Sequence, residues 1–121
     1  MWFATEAKVA KAFEDHLDSL EALHARATRL SKLLNEAAEV GLGDGGLSAH
    51  LRRLTADLLK GKNELQRARV AISMGEANWR SAVPVVEAAR KAIRALGRHL
   101  ASVEAEAADA LPRANRDLAR G

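Results

Sequence analysis

The fold of this chain is decided by the repeat that begins in residues 47–65, LSAHLRRLTADLLKGKNEL. Steps of four and three residues, taken alternately from Leu47, reach Ala114 without landing on a charged residue. The positions are Leu47, Leu51, Leu54, Leu58, Gly61, Leu65, Ala68, Ile72, Gly75, Trp79, Ala82, Val86, Ala89, Ile93, Leu96, Leu100, Val103, Ala107, Ala110 and Ala114. A 3.5-residue repeat of this length predicts helices packed along an apolar seam in a left-handed supercoil.

The residues before this repeat predict a first helix over about 4–40, because no Gly or Pro interrupts them and Thr5 is a suitable N-cap. Its seam consists of Trp2, Val9, His16, Leu23, Leu30 and Ala37 at one heptad position and Phe13, Leu20, Ala27 and Leu34 at the other. Four glycines in GLGDGG, residues 41–46, predict a hairpin loop. Ser48 is expected to cap the second helix, over about 47–75.

The segment 75–83 has two interpretations, a break or a kink. Gly75 and Asn78 favour a break, after which Ser81 would cap a third helix over about 82–111 with Pro84 in its first turn. The heptad phase passes through this segment unbroken, which favours one kinked helix instead. We favour the break, and we expect the C-terminal tail to begin at residue 112, where Pro112 stands.

The sequence therefore predicts one all-α domain over residues 1–121: an elongated three-helix antiparallel (up-down-up) coiled-coil-like bundle. The alternative is a two-helix hairpin whose long continuous second helix forms a dimer. The general shape resembles a spectrin-type repeat or a coiled-coil hairpin module, and no family motif accompanies it.

Charge distribution favours the bundle. Net charge is −2 over residues 1–40, +4 over 47–80 and +2 over 81–121. In an up-down-up arrangement the carboxylates of Glu14, Asp15, Asp18 and Glu21 lie level with Arg67, Arg69, Arg94 and Arg98. At the next level the cations of Arg26, Arg29 and Lys32 meet the carboxylates of Asp57, Glu104, Glu106 and Asp109. Beyond it the carboxylates of Glu36 and Glu39 meet Arg52, Arg53, Arg113 and Arg116. Opposite charges at each level would specify the register of the helices more than they would stabilise them.

The composition and motifs of the chain argue against a catalytic, metal-binding or nucleotide-binding site. The chain has no cysteine, which excludes disulfides and thiolate metal sites, and aromatic residues make up only 3%. Gly41, Gly43 and Gly46 match G-x-G-x-x-G, but they follow a helix where a nucleotide site needs a strand. Glu21 and His24 have the Glu-x-x-His spacing of di-iron bundles without a second copy. We expect no enzyme, no cofactor, no metal and no small-molecule substrate.

Three sets of residues are candidates for function. Trp2, Phe3 and Trp79 share one end of the expected bundle, as an aromatic plug or as an anchor for a partner. The basic residues Arg67, Arg69, Arg90, Lys91, Arg94 and Arg98 are candidates for contacts with nucleic acid. His16 interrupts the first seam and, in the expected register, lies within about one turn of His99, so the two form a candidate register-setting or pH-sensitive pair.

The leading hypothesis is a non-enzymatic interaction or structural module. It would bind a protein partner or itself through a helical face or the Trp-bearing end, as a bacterial or phage accessory component. The alternative is nucleic-acid binding through the basic face of helices 2 and 3. No apolar run reaches the length of a membrane span, and the N-terminus lacks the pattern of a secretory signal, so we expect a cytoplasmic protein, or a virion component if phage-encoded.

Overall fold

A computed structural model describes residues 5–41 and 46–110 of the chain. Three helices occur in this part, α1 (Glu6–Glu39), α2 (Leu47–Ser73) and α3 (Trp79–Ala110), and the same residues contain no strand. Each helix packs against both others, so the three share one core. The prediction of an all-α chain with three helices is confirmed. The expected tail, residues 112–121, lies outside the described residues.

The first helix begins and ends close to its predicted limits. The Thr5 hydroxyl accepts a hydrogen bond from the backbone N–H of Lys8, which is the predicted N-cap contact. At the other end Gly41 has a φ of +81°, and its N–H donates to the carbonyl of Ala38. This left-handed residue closes the last turn and leads the chain away from the helix.

The second helix is not capped by Ser48. Its N-cap is Gly46, which has a φ of +86° and makes no side-chain capping bond. Ser48 is the second helical residue, because the helix already begins at Leu47. A hydroxyl cap at Ser48 predicts a first helical residue at 49, whereas the left-handed Gly46 precedes a helix that begins two residues earlier.

The chain breaks between α2 and α3, as the favoured interpretation predicts, and does not continue as one kinked helix. Gly75 has a φ of +76° and its N–H donates to the carbonyl of Ile72, while the N–H of Glu76 donates to Ala71. These two bonds form a Schellman motif, which ends α2 and requires a residue that tolerates positive φ. The break therefore covers residues 74–78.

The third helix begins three residues before its predicted start at 82. Its cap is Asn78 and not Ser81, because the Asn78 Oδ1 accepts a hydrogen bond of 2.9 Å from the Ser81 N–H. The Ser81 hydroxyl in turn donates to the carbonyl of Asn78. Pro84 consequently lies inside the helix, beyond its first turn. Pro84 cannot donate the N–H bond of a regular helical residue, and it lies on an exposed part of the helix.

The core consists of seam residues from all three helices. Within residues 5–41 and 46–110 the buried residues are all apolar: Val9, Phe13, Leu17, Leu20, Leu23, Ala27, Leu30, Leu34, Ala37, Leu47, Leu51, Leu54, Leu58, Leu65, Ala82, Val86, Leu100, Val103 and Ala107. All but Leu17 occupy predicted seam positions. Leu17 is buried beside His16, which is only half-buried at its seam position. The apolar Leu17 thus supplies the deeper packing that the polar imidazole does not.

Cross-helix contacts fix which parts of the helices are neighbours. A Cβ on Gly61 would lie 3.8 Å from Leu20, and a Cβ on Gly97 would lie 3.9 Å from Leu23. Arg26 forms an ion pair with Glu104, as the charge pattern predicts. Glu21 differs from the prediction, since its carboxylate lies 3.7 Å from Lys62 and does not pair with an arginine.

Candidate functional site

An apolar groove lies between α2 and α3, on the side of the bundle away from α1. It has a volume of about 570 Å³. Its apolar lining is Gly61 and Leu65 from α2 and Pro84, Val85, Ala88, Ala89 and Ala92 from α3, and the charged side chains of Glu64 and Arg67 complete it. No motif search would have found this groove, because its residues are small and share no chemical signature.

The groove exists because the core is open on this side. Between Val86 and Leu100 no residue of α3 is fully buried, although Ala89, Ile93 and Leu96 occupy the seam and pack against the core. The facing seam positions of α2 include the small residues Gly61 and Ala68. Such side chains cannot fill the space between two helix backbones, so the apolar seam remains partly exposed to water.

Exposed apolar surface continues past Arg67 along α2. A second depression, of about 470 Å³, includes Val70 and Ala71 and shares Arg67 with the first groove. Val70 is 52% exposed and Met74, one turn further on, is 66% exposed. Both are off the heptad seam, so the seam pattern does not predict them as part of a site. Their signal was available as large apolar residues at outward-facing positions.

The six predicted nucleic-acid residues are all exposed, and none of them forms an ion pair with another described residue. They do not share one face. Arg67 lines the α2–α3 groove, whereas Arg69 lines a cavity formed with α1. Arg90 lies close enough to His16 on α1 to affect its pKa. Lys91, Arg94 and Arg98 are distributed along the exposed part of α3.

The predicted aromatic site is described only in part. Trp79 is half-buried and lines a cavity of about 210 Å³ together with Val9, Phe13 and Ile72. The guanidinium of Arg80 lies 5.3 Å from the centre of the Trp79 ring, a cation–π distance. Trp2 and Phe3 lie outside the described residues, so their predicted contact with Trp79 stays a prediction.

His16 has an uncommon environment. Its Nε2 is buried and makes no hydrogen bond. Burial lowers the pKa of His16 below 6.5, and the nearby positive charge of Arg90 lowers it further. The charges of Asp15 and Glu87 and the backbone of Val86 act in the opposite direction, but they do not cancel the effect of burial. The neutral imidazole is therefore favoured in the folded chain.

The predicted pairing of His16 with His99 is wrong. The α3 residues around His16 are Val86, Glu87 and Arg90. His99 is nine residues beyond Arg90, which is about 14 Å along the helix axis, and it is exposed. The expected register sets α1 too far along α3, and it therefore matches His16 with residues beyond those that it faces in the structure.

Other chemistry has little support among the described residues. They contain no group of three or more His, Asp or Glu side chains arranged to hold a metal ion. None of their helices combines the length and hydropathy needed to cross a membrane. A broad groove between α1 and α2, about 730 Å³, has a mixed polar lining that includes Ser31, Glu36 and Arg52.

Comparison with known proteins returns no match: no family model, no curated protein and no solved structure matches the chain.

Proposed function

We propose that the three helices form an elongated up-down-up bundle with coiled-coil-like packing, and that this bundle is a non-enzymatic module that binds a protein. The order of the contacts supports the topology. Leu20 lies beside Gly61, while Ala27, later in α1, lines a groove with Leu51, earlier in α2. The two helices thus meet in opposite order along their lengths.

The observation that carries the functional proposal is the partly exposed seam. Ala89, Ile93 and Leu96 belong to the core by position, yet they remain half-buried in the isolated chain. Exposed apolar surface of this kind, bordered by polar residues, is typical of protein interaction sites. The binding partner, or a second copy of the chain, would cover the seam and complete the core.

The test compares affinity capture by three tagged chains: the wild type, a variant whose groove is blocked and a matched control variant. Ala88→Glu with Ala92→Glu places two carboxylates in the groove. Ala101→Glu with Ala105→Glu is the matched control, because all four alanines are exposed and the spacing is the same. We expect a partner that the wild type and the control capture and that the blocked variant loses. A captured set that is identical for all three chains would contradict the proposal.

Nucleic-acid binding is the second candidate, and the exposed cations of α3 favour it. Lys91, Arg94 and Arg98 have no ion-pair partner among the described residues, so their charges are available to phosphates. Binding of this kind predicts steep salt dependence and weaker retention on heparin after Arg94→Glu with Arg98→Glu. Unchanged retention would remove this candidate.

A further inference from the structure

We propose that the α2–α3 groove binds an amphipathic helix with acidic flanks, which packs as a fourth helix against the partly exposed seam. This inference rests on the proposed protein-binding function and names the chemistry of the partner. The groove supplies the shape. Ala88 and Ala92 are small and exposed, so they leave room for larger apolar side chains of an incoming helix, while Val85 provides an apolar wall.

Positive charge on both helices defines the rims of the groove: Arg67 lines the groove, Lys60 and Lys91 are next in sequence to its lining residues Gly61 and Ala92, and Arg98 follows further along α3. Lys60 and Arg67 stand seven residues apart on α2, and Lys91 and Arg98 stand seven residues apart on α3. All four are exposed, and none forms an ion pair with a described residue. Cations at heptad spacing beside an apolar seam select a neighbouring helix with carboxylates at the matching positions. Glu64 is the one acidic residue that lines the groove.

The acidic helix of this chain does not neutralise these rims. Residues 1–40 carry the net negative charge, but α1 packs against the opposite side of α2 and α3. Its Glu21 reaches Lys62, which faces α1, and its Asp15 pairs with Lys11 within the same helix. The cations at the groove rims therefore remain available to pair with the carboxylates of a binding partner.

A second copy of the chain fits this surface less well. Among the described residues the large exposed apolar side chains are Val40, Leu59, Val70 and Met74, so α1 offers no apolar stripe along its length to place in the groove. Pairing of two grooves would bring Lys60, Arg67 and Lys91 of both copies together. Like charges at such a contact oppose association, and an acidic partner avoids that cost.

The experiment uses two synthetic helical peptides of three heptads with identical Leu and Ala at the a and d positions. One peptide has Glu at the e and g positions and the other has Lys. Binding to the whole chain is measured by isothermal titration calorimetry at low salt. Because exposed ion pairs each contribute little, we expect the Glu peptide to bind only roughly tenfold tighter than the Lys peptide, a difference of about 1.4 kcal/mol in binding free energy.

Two charge-reversed variants locate the binding surface. Arg67→Glu with Lys91→Glu changes the groove rims, and we expect it to reverse the preference between the peptides. Arg69→Glu with Arg94→Glu is the matched control, because it makes the same change in net charge on the same two helices away from the groove rims. This control is expected to retain the preference for the Glu peptide.

The outcomes separate this inference from the proposed function. Loss of Glu-peptide binding to the same extent in both variants would show an effect of net charge alone and would overturn the inference. Failure of the wild type to bind the Glu peptide would also overturn the inference. Binding of a DNA duplex to the groove rims, instead of the Glu peptide, would overturn it as well. The capture experiment still decides protein binding in each case, because it requires no acidic partner.

Discussion

Gly61 and Gly97 are glycines within long helices, and we predict that alanine at both positions stabilises the chain. Neither glycine is required by a close approach, because an added Cβ would lie 3.8 Å from the side chain of Leu20 at Gly61 and 3.9 Å from Leu23 at Gly97. Both distances are ordinary van der Waals contacts. The spacing between the helices therefore leaves room for a methyl group at each position.

The size of the expected stabilisation follows from the backbone entropy that glycine loses on folding. Replacing a glycine inside a helix with alanine stabilises it by about 1 kcal/mol, so the two substitutions together should contribute about 2 kcal/mol. They contact different leucines, and their effects are expected to be nearly additive. For a chain of 121 residues the entropy of unfolding converts 1 kcal/mol into a rise of about 4 °C in Tm, or about 8 °C for both.

The assay is urea and thermal unfolding followed by circular dichroism at 222 nm, with wild type, each single variant and the double variant. Gly75→Ala is the matched control, because the same added methyl meets open space but forces alanine to a φ of +76°. We expect that control to lose about 1 kcal/mol. Destabilisation by Gly61→Ala or Gly97→Ala would refute the interhelix spacing described above.

Three further predictions concern the core, the α3 cap and His16. Leu100 is 0% exposed, and Leu100→Ala is expected to lower the free energy of unfolding by about 2–5 kcal/mol. Leu59 is 46% exposed, and Leu59→Ala should change that free energy by less than about 0.5 kcal/mol. Equal losses in urea melts would contradict the described core. Asn78→Ala should cost about 1 kcal/mol and exceed the loss from Ser81→Ala, because Asn78 is the N-cap; the reverse order in the same melts would place the cap at Ser81. The pKa of His16 is lowered on folding, so the unfolded chain binds more protons and the wild type should lose stability relative to His16→Leu as pH falls below 6.5, down to the folded-state pKa. A difference in stability between these two chains that stays constant from pH 8 to pH 5 would show that burial does not shift His16.

The sequence predicted the helices well because their signals are local. Each signal acts within a few residues along the chain: the heptad seam, the Thr5 cap, and the glycines at positions 41 and 75. Thr5 caps α1 as expected, and both glycines have positive φ at helix ends. The start of α3 was wrong because Asn78 and Ser81 are both good caps. Choosing between them depends on the turn geometry after Gly75, which residue type alone does not specify.

The candidate site could not be predicted in the same way. The groove depends on how closely α2 and α3 pack where their facing residues, such as Gly61 and Ala89, are too small to fill the space between them, and this distance is known only from the packed geometry. The charge pattern likewise does not specify the offset between two helices to within one turn. The pattern was sufficient for Arg26 and Glu104, whose side chains are long, but it misplaced His16 relative to His99.

The most direct test of the account is the size and shape of the chain in solution, measured by light scattering on a sizing column with small-angle X-ray scattering on the same peak. A folded three-helix chain predicts a mass near 13.0 kDa and a length of about 55 Å, since α1 alone extends over 34 residues. A dimer about 100 Å long would contradict it, because α2 and α3 would then form one continuous helix and the α2–α3 groove would not exist.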